Sequence, residues 1–303
     1  SKPNGDNGQV PEFEEQTELF DIIEPLLEAD TPIYFFDLHT TSAPSVPFIA
    51  INDQLDNRKF ALHFPLPTVL GIEEYLDGPL LSHMNERGYV SLGFESGQHY
   101  ELIAVKNGIA FMWLALVFAG ALSKKDVSDF EEHYRQLQIS ANSNTNFYEV
   151  TYRHELAKEN HFKMIPGFKS FEKVQKGEAI GIQNKREVRA EKNGIIFMPL
   201  YQQQGEEGFF LIRRIPQWAL KSSVFLRKIK IDGLLTLLPG ISWSDDRRES
   251  LLVNIVTAKF FAKPFFHLLG YRNRTIDKSH ILMHNRERSA KNKMYQKEWW
   301  FNP

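Results

Sequence analysis

The stretch from Ile33 to Ser42 reads IYFFDLHTTS, and it decides the fold class of this 303-residue chain. Four apolar or aromatic residues in succession are typical of a strand that is buried in the middle of a sheet. The run stops abruptly at Asp37, where a polar loop begins. Open α/β sheets place their ligands beyond the carboxyl ends of their strands, so this loop is a candidate site.

Strands and helices alternate along the first half of the chain. This alternation predicts an α/β layer with a largely parallel sheet, flanked by helices. The predicted strands are Pro47 to Ile51, Thr68 to Ile72 and Tyr89 to Glu95, and the predicted helices are Phe13 to Leu27, Asn57 to His63, Asn107 to Leu122 and Asp126 to Ile139.

A small polar stretch from Ser140 to Asn146 is the best candidate for a linker. Beyond it the pattern is typical of strands, with a hairpin around the turn at Gly205. A long apolar pattern from Arg248 to Leu269 predicts a helix. We therefore predict an α/β domain over residues 1–142, a β domain over 147–215, and a partly helical C-terminal extension over 216–303.

Composition excludes several classes of protein. The chain has no cysteine, which excludes disulfides, thiolate nucleophiles and cysteine-ligated zinc. Its net charge of -2 does not favour a nucleic-acid or acidic-membrane partner. The chain contains no apolar run of the ~20 residues that a membrane span requires. Its polar, acidic first residues do not resemble a signal peptide, so we expect a cytoplasmic protein.

Asp37 and His39 are two positions apart at the end of the first predicted strand. In an extended chain both side chains point to the same side. An imidazole beside a carboxylate is how proteins orient a histidine for metal binding or acid–base chemistry. The alternative is structural: an Asp that caps a helix and a histidine that is hydrogen-bonded within a turn.

Glu95 ends the otherwise apolar strand that begins at Tyr89. A carboxyl group at the edge of a core tends to have a raised pKa, which suits a general base. The alternative is an exposed glutamate that enters a loop, and the spacing alone does not separate the two interpretations.

The segment from Phe35 to Ser45 contains DLHTTSAPS, and it resembles the corresponding segment of the aspartoacylase and succinylglutamate desuccinylase family. LGIEEYLDG from Leu70 to Gly78 and GFESGQH from Gly93 to His99 resemble the same family in order and spacing. The resemblance covers roughly residues 15 to 215. In the β region it rests on Tyr152 to His154, Pro166 to Phe168 and Phe197 to Gln202.

This resemblance implies a carboxypeptidase-like zinc hydrolase domain with a mixed sheet, followed by a small β domain. It implies that His39 is a zinc ligand and that Glu95 is the general base. Around them it places Asp37, which would orient the ligand, three pocket residues and a substrate contact from the β domain. The pocket residues are Thr40, Gln98 and His99, and the substrate contact is Tyr201.

The family's other two zinc ligands come from an HxxE motif upstream of DLH, and residues 1–36 contain none. We expect either that the sequence starts inside the domain or that the protein has lost catalysis. The predicted function is zinc-dependent cleavage of the amide (or ester) bond of a small N-acyl amino acid. The alternative is an impaired relative that binds a small carboxylate or a protein. We expect no nucleic-acid or membrane partner, and we expect a homodimer.

Overall fold

The computed structural model describes residues 11–28, 30–72, 75, 80–156, 161–202, 205–229, 231–244, 250–254, 256–257, 266, 268–275 and 279–301. Its centre is an eight-stranded sheet in the order β1-β4-β2-β3-β5-β11-β10-β7. The strands of this sheet are β1 (Tyr34–Thr41), β2 (Phe48–Ile51), β3 (Thr68–Leu70), β4 (Val90–Gln98), β5 (Phe147–Glu155), β7 (Glu172–Val174), β10 (Gly194–Phe197) and β11 (Glu207–Arg214).

The directions of the strands make this sheet a mixed one. β1 runs parallel to β4, and β2, β3 and β5 run parallel to one another. β2 is antiparallel to β4, so the two groups of parallel strands point in opposite directions. The α/β class with a mixed sheet and flanking helices is confirmed. The largely parallel sheet expected from the alternation alone is wrong, because the short loop from Ser42 to Pro47 returns the chain beside β4 in the opposite direction.

Five helices accompany this part of the sheet, and the sequence predicts four of them. The fifth, α3, is a short helix that the apolar pattern did not reveal. Aromatic side chains join the helices to the sheet, as where the ring of Phe94 on β4 stacks on Phe111 of α4 at 4.1 Å between centroids. The helices are α1 (Pro11–Leu26), α2 (Leu55–Ala61), α3 (Leu80–Glu86), α4 (Leu102–Phe118) and α5 (Phe130–Ser140).

The segment predicted as a β domain contributes four strands to the main sheet, because β5 pairs with β3 in parallel and continues into β11, β10 and β7. The predicted hairpin is present as the antiparallel pair of β10 and β11. Three further strands form a separate small antiparallel sheet: β6 (Phe162–Met164), β8 (Ala179–Gln183) and β9 (Arg186–Arg189).

The C-terminal part combines helices with a third sheet. A helix α6 (Gln217–Lys228) leads to a four-stranded antiparallel sheet in the order β12-β13-β15-β14, and a short helix α7 (Asn292–Tyr295) follows. Tyr295 and Trp300 are fully buried in the core of the main sheet. The strands are β12 (Ile241–Trp243), β13 (Ser250–Asn254), β14 (Tyr271–Thr275) and β15 (His280–Asn285).

The helix predicted from Arg248 to Leu269 is wrong at its beginning, where the structure has strand β13. Leu251 and Val253 are buried while Leu252 between them is half-buried, which is the two-residue period of a strand. Residues 258–265 of the predicted helix lie outside the described residues. Within the described ranges, no helix is long and apolar enough to cross a membrane.

Candidate active site at the carboxyl ends of two parallel strands

The site lies on β1 and β4, a few residues before these strands end at Thr41 and Gln98. Asp37 and His39 are therefore strand residues, and the loop predicted to begin at Asp37 is wrong. In the parallel register Asp37 is opposite Gly93 and His39 is opposite Glu95. Because successive side chains of a strand alternate between the two faces of a sheet, Asp37, His39 and Glu95 project from the same face. The structure therefore brings together the imidazole and the carboxyl group that the sequence placed at two separate strand ends.

Glu95 is a half-buried carboxyl group with one unsatisfied oxygen. Its Oε2 atom is buried and has no hydrogen-bond partner in the described part of the chain. Burial raises the pKa of Glu95 to about 7, against a smaller lowering by His39 and with a further rise from Asp37. A carboxyl group with this pKa accepts and releases a proton near neutral pH, which is the property of a general base.

The backbone of β4 is anchored next to Glu95 from both sides. The hydroxyl of Ser96 donates to the backbone oxygen of His39 at 3.1 Å, which joins β4 to β1. On the other side the buried amide of Asn107 on α4 donates to the backbone oxygen of Ser96 at 2.8 Å. Gln136 of α5 donates in turn to the side-chain oxygen of Asn107 at 3.0 Å. Two helices therefore fix the strand end that carries Glu95.

His39 and Asp37 form a pair on the outermost strand of the sheet. The Nε2 atom of His39 lies 2.7 Å from Oδ1 of Asp37, and the two side chains are 58% and 48% exposed. A neutral imidazole that donates from Nε2 has its acceptor at Nδ1, so the carboxylate of Asp37 sets both the tautomer and the direction of the ring.

A cavity of about 390 Å³ opens beside His39. Thr40 and His99 line it, and the hydroxyl of Thr40 lies 2.7 Å from Nδ1 of His99. Gln98 is turned away and donates to the backbone oxygen of Ser42 at 3.3 Å. Glu95 does not line this cavity, because its side chain leaves β4 on the face opposite to that of Ser96.

Tyr201 lies apart from these groups. Its hydroxyl is 3.0 Å from the backbone oxygen of Ile165 and 3.1 Å from that of Phe168, so it closes a loop of the β region. Within the described part of the chain, no hydrogen bond connects Tyr201 to His39 or Glu95. The motif segment from Leu70 to Gly78 falls largely on residues 73, 74 and 76–79, outside the described residues.

The described residues do not fit the three-ligand zinc site that the resemblance implies. They include no group of three or more His, Asp or Glu side chains that could hold a metal ion. His39 is the one family ligand present, and its Nε2 atom is already hydrogen-bonded to Asp37.

A second group of charged residues was missed by the sequence analysis. Asp53 lies between Arg58 and Arg227, contacting Arg58 through Nε and through Nη2 at 2.8 Å and Arg227 through Nη2 at 2.7 Å. Arg227 also pairs with Glu287 at 2.8 Å. All of these contacts except those of Arg58 join positions far apart in the chain, so local spacing carried no signal of them.

Comparison with known proteins returned similar structures only. No protein-family model matches the sequence, and no curated protein matches it. One similar structure is a succinylglutamate desuccinylase/aspartoacylase from Rhodobacter sphaeroides, with 19% identity, a TM-score of 0.46, and coverage of 63% of this chain and 60% of that one. Another is a succinylglutamate desuccinylase from Vibrio parahaemolyticus, with 12% identity, a TM-score of 0.44, and coverage of 71% and 64%.

A third similar structure is an ectoine utilization protein from Ruegeria pomeroyi, with 17% identity, a TM-score of 0.38, and coverage of 71% of this chain and 68% of that one. The chain thus spans less than two thirds of the length of the first two structures. The Rhodobacter sphaeroides and Vibrio parahaemolyticus structures carry the name of the family that the sequence motifs resemble.

Proposed function

We propose that this protein is a hydrolase that cleaves the amide (or ester) bond of a small N-acyl amino acid, with Glu95 as the general base. One observation carries the proposal: the Glu95 carboxyl group, one oxygen of which has no hydrogen-bond partner among the described residues, lies opposite His39 on two adjacent parallel strands. The segments that hold both residues are the ones that resemble the deacylase family.

In the proposed reaction Glu95 first accepts one proton and later donates it. Glu95 takes a proton from a water molecule, and the resulting hydroxide attacks the acyl carbonyl carbon. The protonated Glu95 then gives its proton to the leaving amine as the C–N bond breaks, which yields a free acid and an amino acid. A pKa of about 7 suits both steps, because neither form of the carboxyl group is strongly disfavoured at neutral pH.

Next to this base, the carboxylate of Asp37 orients the imidazole ring of His39. Because Nε2–H of His39 donates a hydrogen bond to Asp37, Nδ1 is the ring nitrogen that carries the lone pair. Such a nitrogen can accept a proton or a hydrogen bond, and it is also the form of histidine that binds metals. Thr40 and His99 line the cavity beside His39, which lies on the face of the sheet opposite to the Glu95 side chain, so we place the reacting carbonyl on the Glu95 face and not in that cavity.

Zinc dependence follows from the family resemblance, with His39 as one ligand, and it stays a prediction. The zinc content of the purified protein tests it. Near-stoichiometric zinc with deacylase activity supports a metalloenzyme. Zinc-free protein that binds small carboxylates without cleaving them supports the alternative function, a binding module, which the incomplete ligand set favours. The cytoplasmic location and the homodimer also stay predictions.

The direct test is Glu95→Gln, assayed on a panel of N-acyl amino acids that includes N-succinylglutamate. Loss of a general base lowers the rate by about 10²- to 10⁴-fold. Glu132→Gln, which changes an exposed glutamate on α5, is the matched control and keeps the wild-type rate. A folded Glu95→Gln protein with the wild-type rate would remove Glu95 from the mechanism.

A further inference from the structure

A second cavity, of about 600 Å³, lies at the opposite end of the sheet from Glu95. It adjoins the carboxyl ends of β2 and β3, which run opposite to β4, and the first turns of α6 cover it. Its volume is in the range of small-molecule sites, and carboxyl ends of parallel strands are where such sites occur in α/β sheets.

The wall of this cavity is mainly apolar. The main sheet and the segment before α6 contribute one part of the wall, and α6 itself contributes Trp218, Ala219 and Leu220. Trp218 is 70% exposed, which leaves a large aromatic surface at the cavity. The remaining apolar lining consists of Leu70, Val150, Ile215, Pro216 and Leu268.

Arginine side chains line the same cavity in excess over carboxylates. Four arginines face it together with two acidic residues, Asp53 and Glu149. Behind them Arg227 joins Asp53 to Glu287. Taken together, five guanidinium groups stand against three carboxyl groups, an excess of two positive charges. The four lining arginines are Arg58, Arg213, Arg214 and Arg286.

The ion pairs show which arginine has no acidic partner of its own. Asp53 neutralises Arg58 and Arg227 jointly, and Glu149 accepts from Arg213 at 2.7 Å. The side chain of Arg214, the next residue, is exposed and forms no hydrogen bond or ion pair among the described residues. Its guanidinium is therefore available to a ligand at the cavity.

We propose that this cavity binds an amphiphilic anion, with an apolar body in the cavity and a single carboxylate or phosphate head group held by the arginines. Guanidinium groups bind both kinds of head group through paired N–H donors. Apolar walls favour the body of the ligand, and the surplus positive charge selects an anion over a neutral analogue. This inference does not depend on the deacylase activity, because the two sites lie at opposite ends of the sheet.

Isothermal titration calorimetry on the whole chain tests the proposal with three probes that share an eight-carbon body. Octanoate and octyl phosphate carry the two anionic head groups, and octanamide is the neutral control. The variants are Arg214→Gln, which removes the head-group contact, and Ala219→Phe, which fills the cavity. Lys221→Gln, an exposed charge on α6 that does not line the cavity, is the matched control.

At least one anion is expected to bind with one-to-one stoichiometry and about tenfold more tightly than octanamide. Arg214→Gln weakens the anion about tenfold and leaves octanamide unchanged, Ala219→Phe abolishes binding, and Lys221→Gln has no effect. Glu95→Gln also leaves this binding unchanged, which separates it from binding at the candidate active site. The tighter of the two anions identifies the head group.

Three results would overturn the proposal: no saturable binding of either anion, equal affinity for the anions and octanamide, or wild-type affinity in Arg214→Gln. The last of these holds even if Ala219→Phe fails to fold, because Arg214 is an exposed residue whose replacement does not disturb the core.

Discussion

Two carboxyl groups at opposite ends of one sheet, Asp53 and Glu95, have opposite electrostatic surroundings. Burial alone raises the pKa of Asp53, but the charges of Arg227 and Arg58 outweigh burial and hold that pKa far below its usual range. Glu95 is also withdrawn from water and has no arginine beside it among the described residues, so burial raises its pKa to about 7. Asp53 lies two residues beyond the end of β2 and Glu95 lies three residues before the end of β4, and the neighbouring charges account for the difference between their pKa values.

The comparison separates a structural carboxylate from a reactive one. Asp53 is held ionised by two fixed cations, and it joins the segment after β2 to α6 and α2. Glu95 has a buried oxygen that finds no hydrogen-bond partner in the described part of the chain, and such an unsatisfied group is energetically costly and calls for an explanation. Perturbed carboxyl groups of this kind are concentrated at functional sites.

The largest expected effect is that of Asp53→Asn on stability. The substitution leaves Arg58 buried without a carboxylate and leaves Arg227 with Glu287 alone, which costs about 3–5 kcal/mol of unfolding free energy. Urea unfolding measures it. The matched control is Asp56→Asn on α2, where a buried carboxylate has Lys59 as its ion-pair partner at 3.1 Å and a raised pKa that burial causes. We expect that control to change stability by less than about 1 kcal/mol. Equal losses in both variants would contradict the structural role of Asp53.

A smaller effect, of opposite sign, is expected for Glu95→Gln. The folded pKa of about 7 lies above the ordinary value of 4.5, so folding favours the protonated acid. Wild-type stability therefore falls as pH rises from about 4.5 to about 7, whereas the glutamine variant lacks this loss. We expect the variant to be more stable than wild type by about 3 kcal/mol at pH 8 and equal to it at pH 4. A difference that does not depend on pH would contradict a raised pKa.

The smallest effect is expected for Asp37→Asn. The pair of Asp37 and His39 is about half exposed, and exposed ion pairs contribute at most about 1 kcal/mol. Thermal unfolding should therefore change little, while deacylation should weaken because the histidine loses the group that orients it. A large loss of stability with unchanged activity would assign this pair a structural role and would remove it from the site.

The residues of the candidate site could be predicted from the sequence because each follows an apolar run that is typical of a buried strand. The apolar runs before Asp37 and Glu95 end at polar residues, and alternation then gives the face of each side chain. Pairing is not visible, because the return of the chain through Ser42 to Pro47 decides that β2 is antiparallel. Arg227 reaches Asp53 across 174 positions, which no local pattern can reveal. The apolar residues after Arg248 predicted a helix, although the first of them form β13.

The central claim is that Glu95 is a carboxyl group poised to exchange a proton near neutral pH. The most direct test is a titration of the glutamate side-chain carbons by NMR in wild-type protein, with Glu95→Gln used to assign the signal. We predict one glutamate signal that titrates near pH 7 and is absent from the variant. If the Glu95 signal instead titrates near 4.5, like an ordinary glutamate, the account of this site is contradicted.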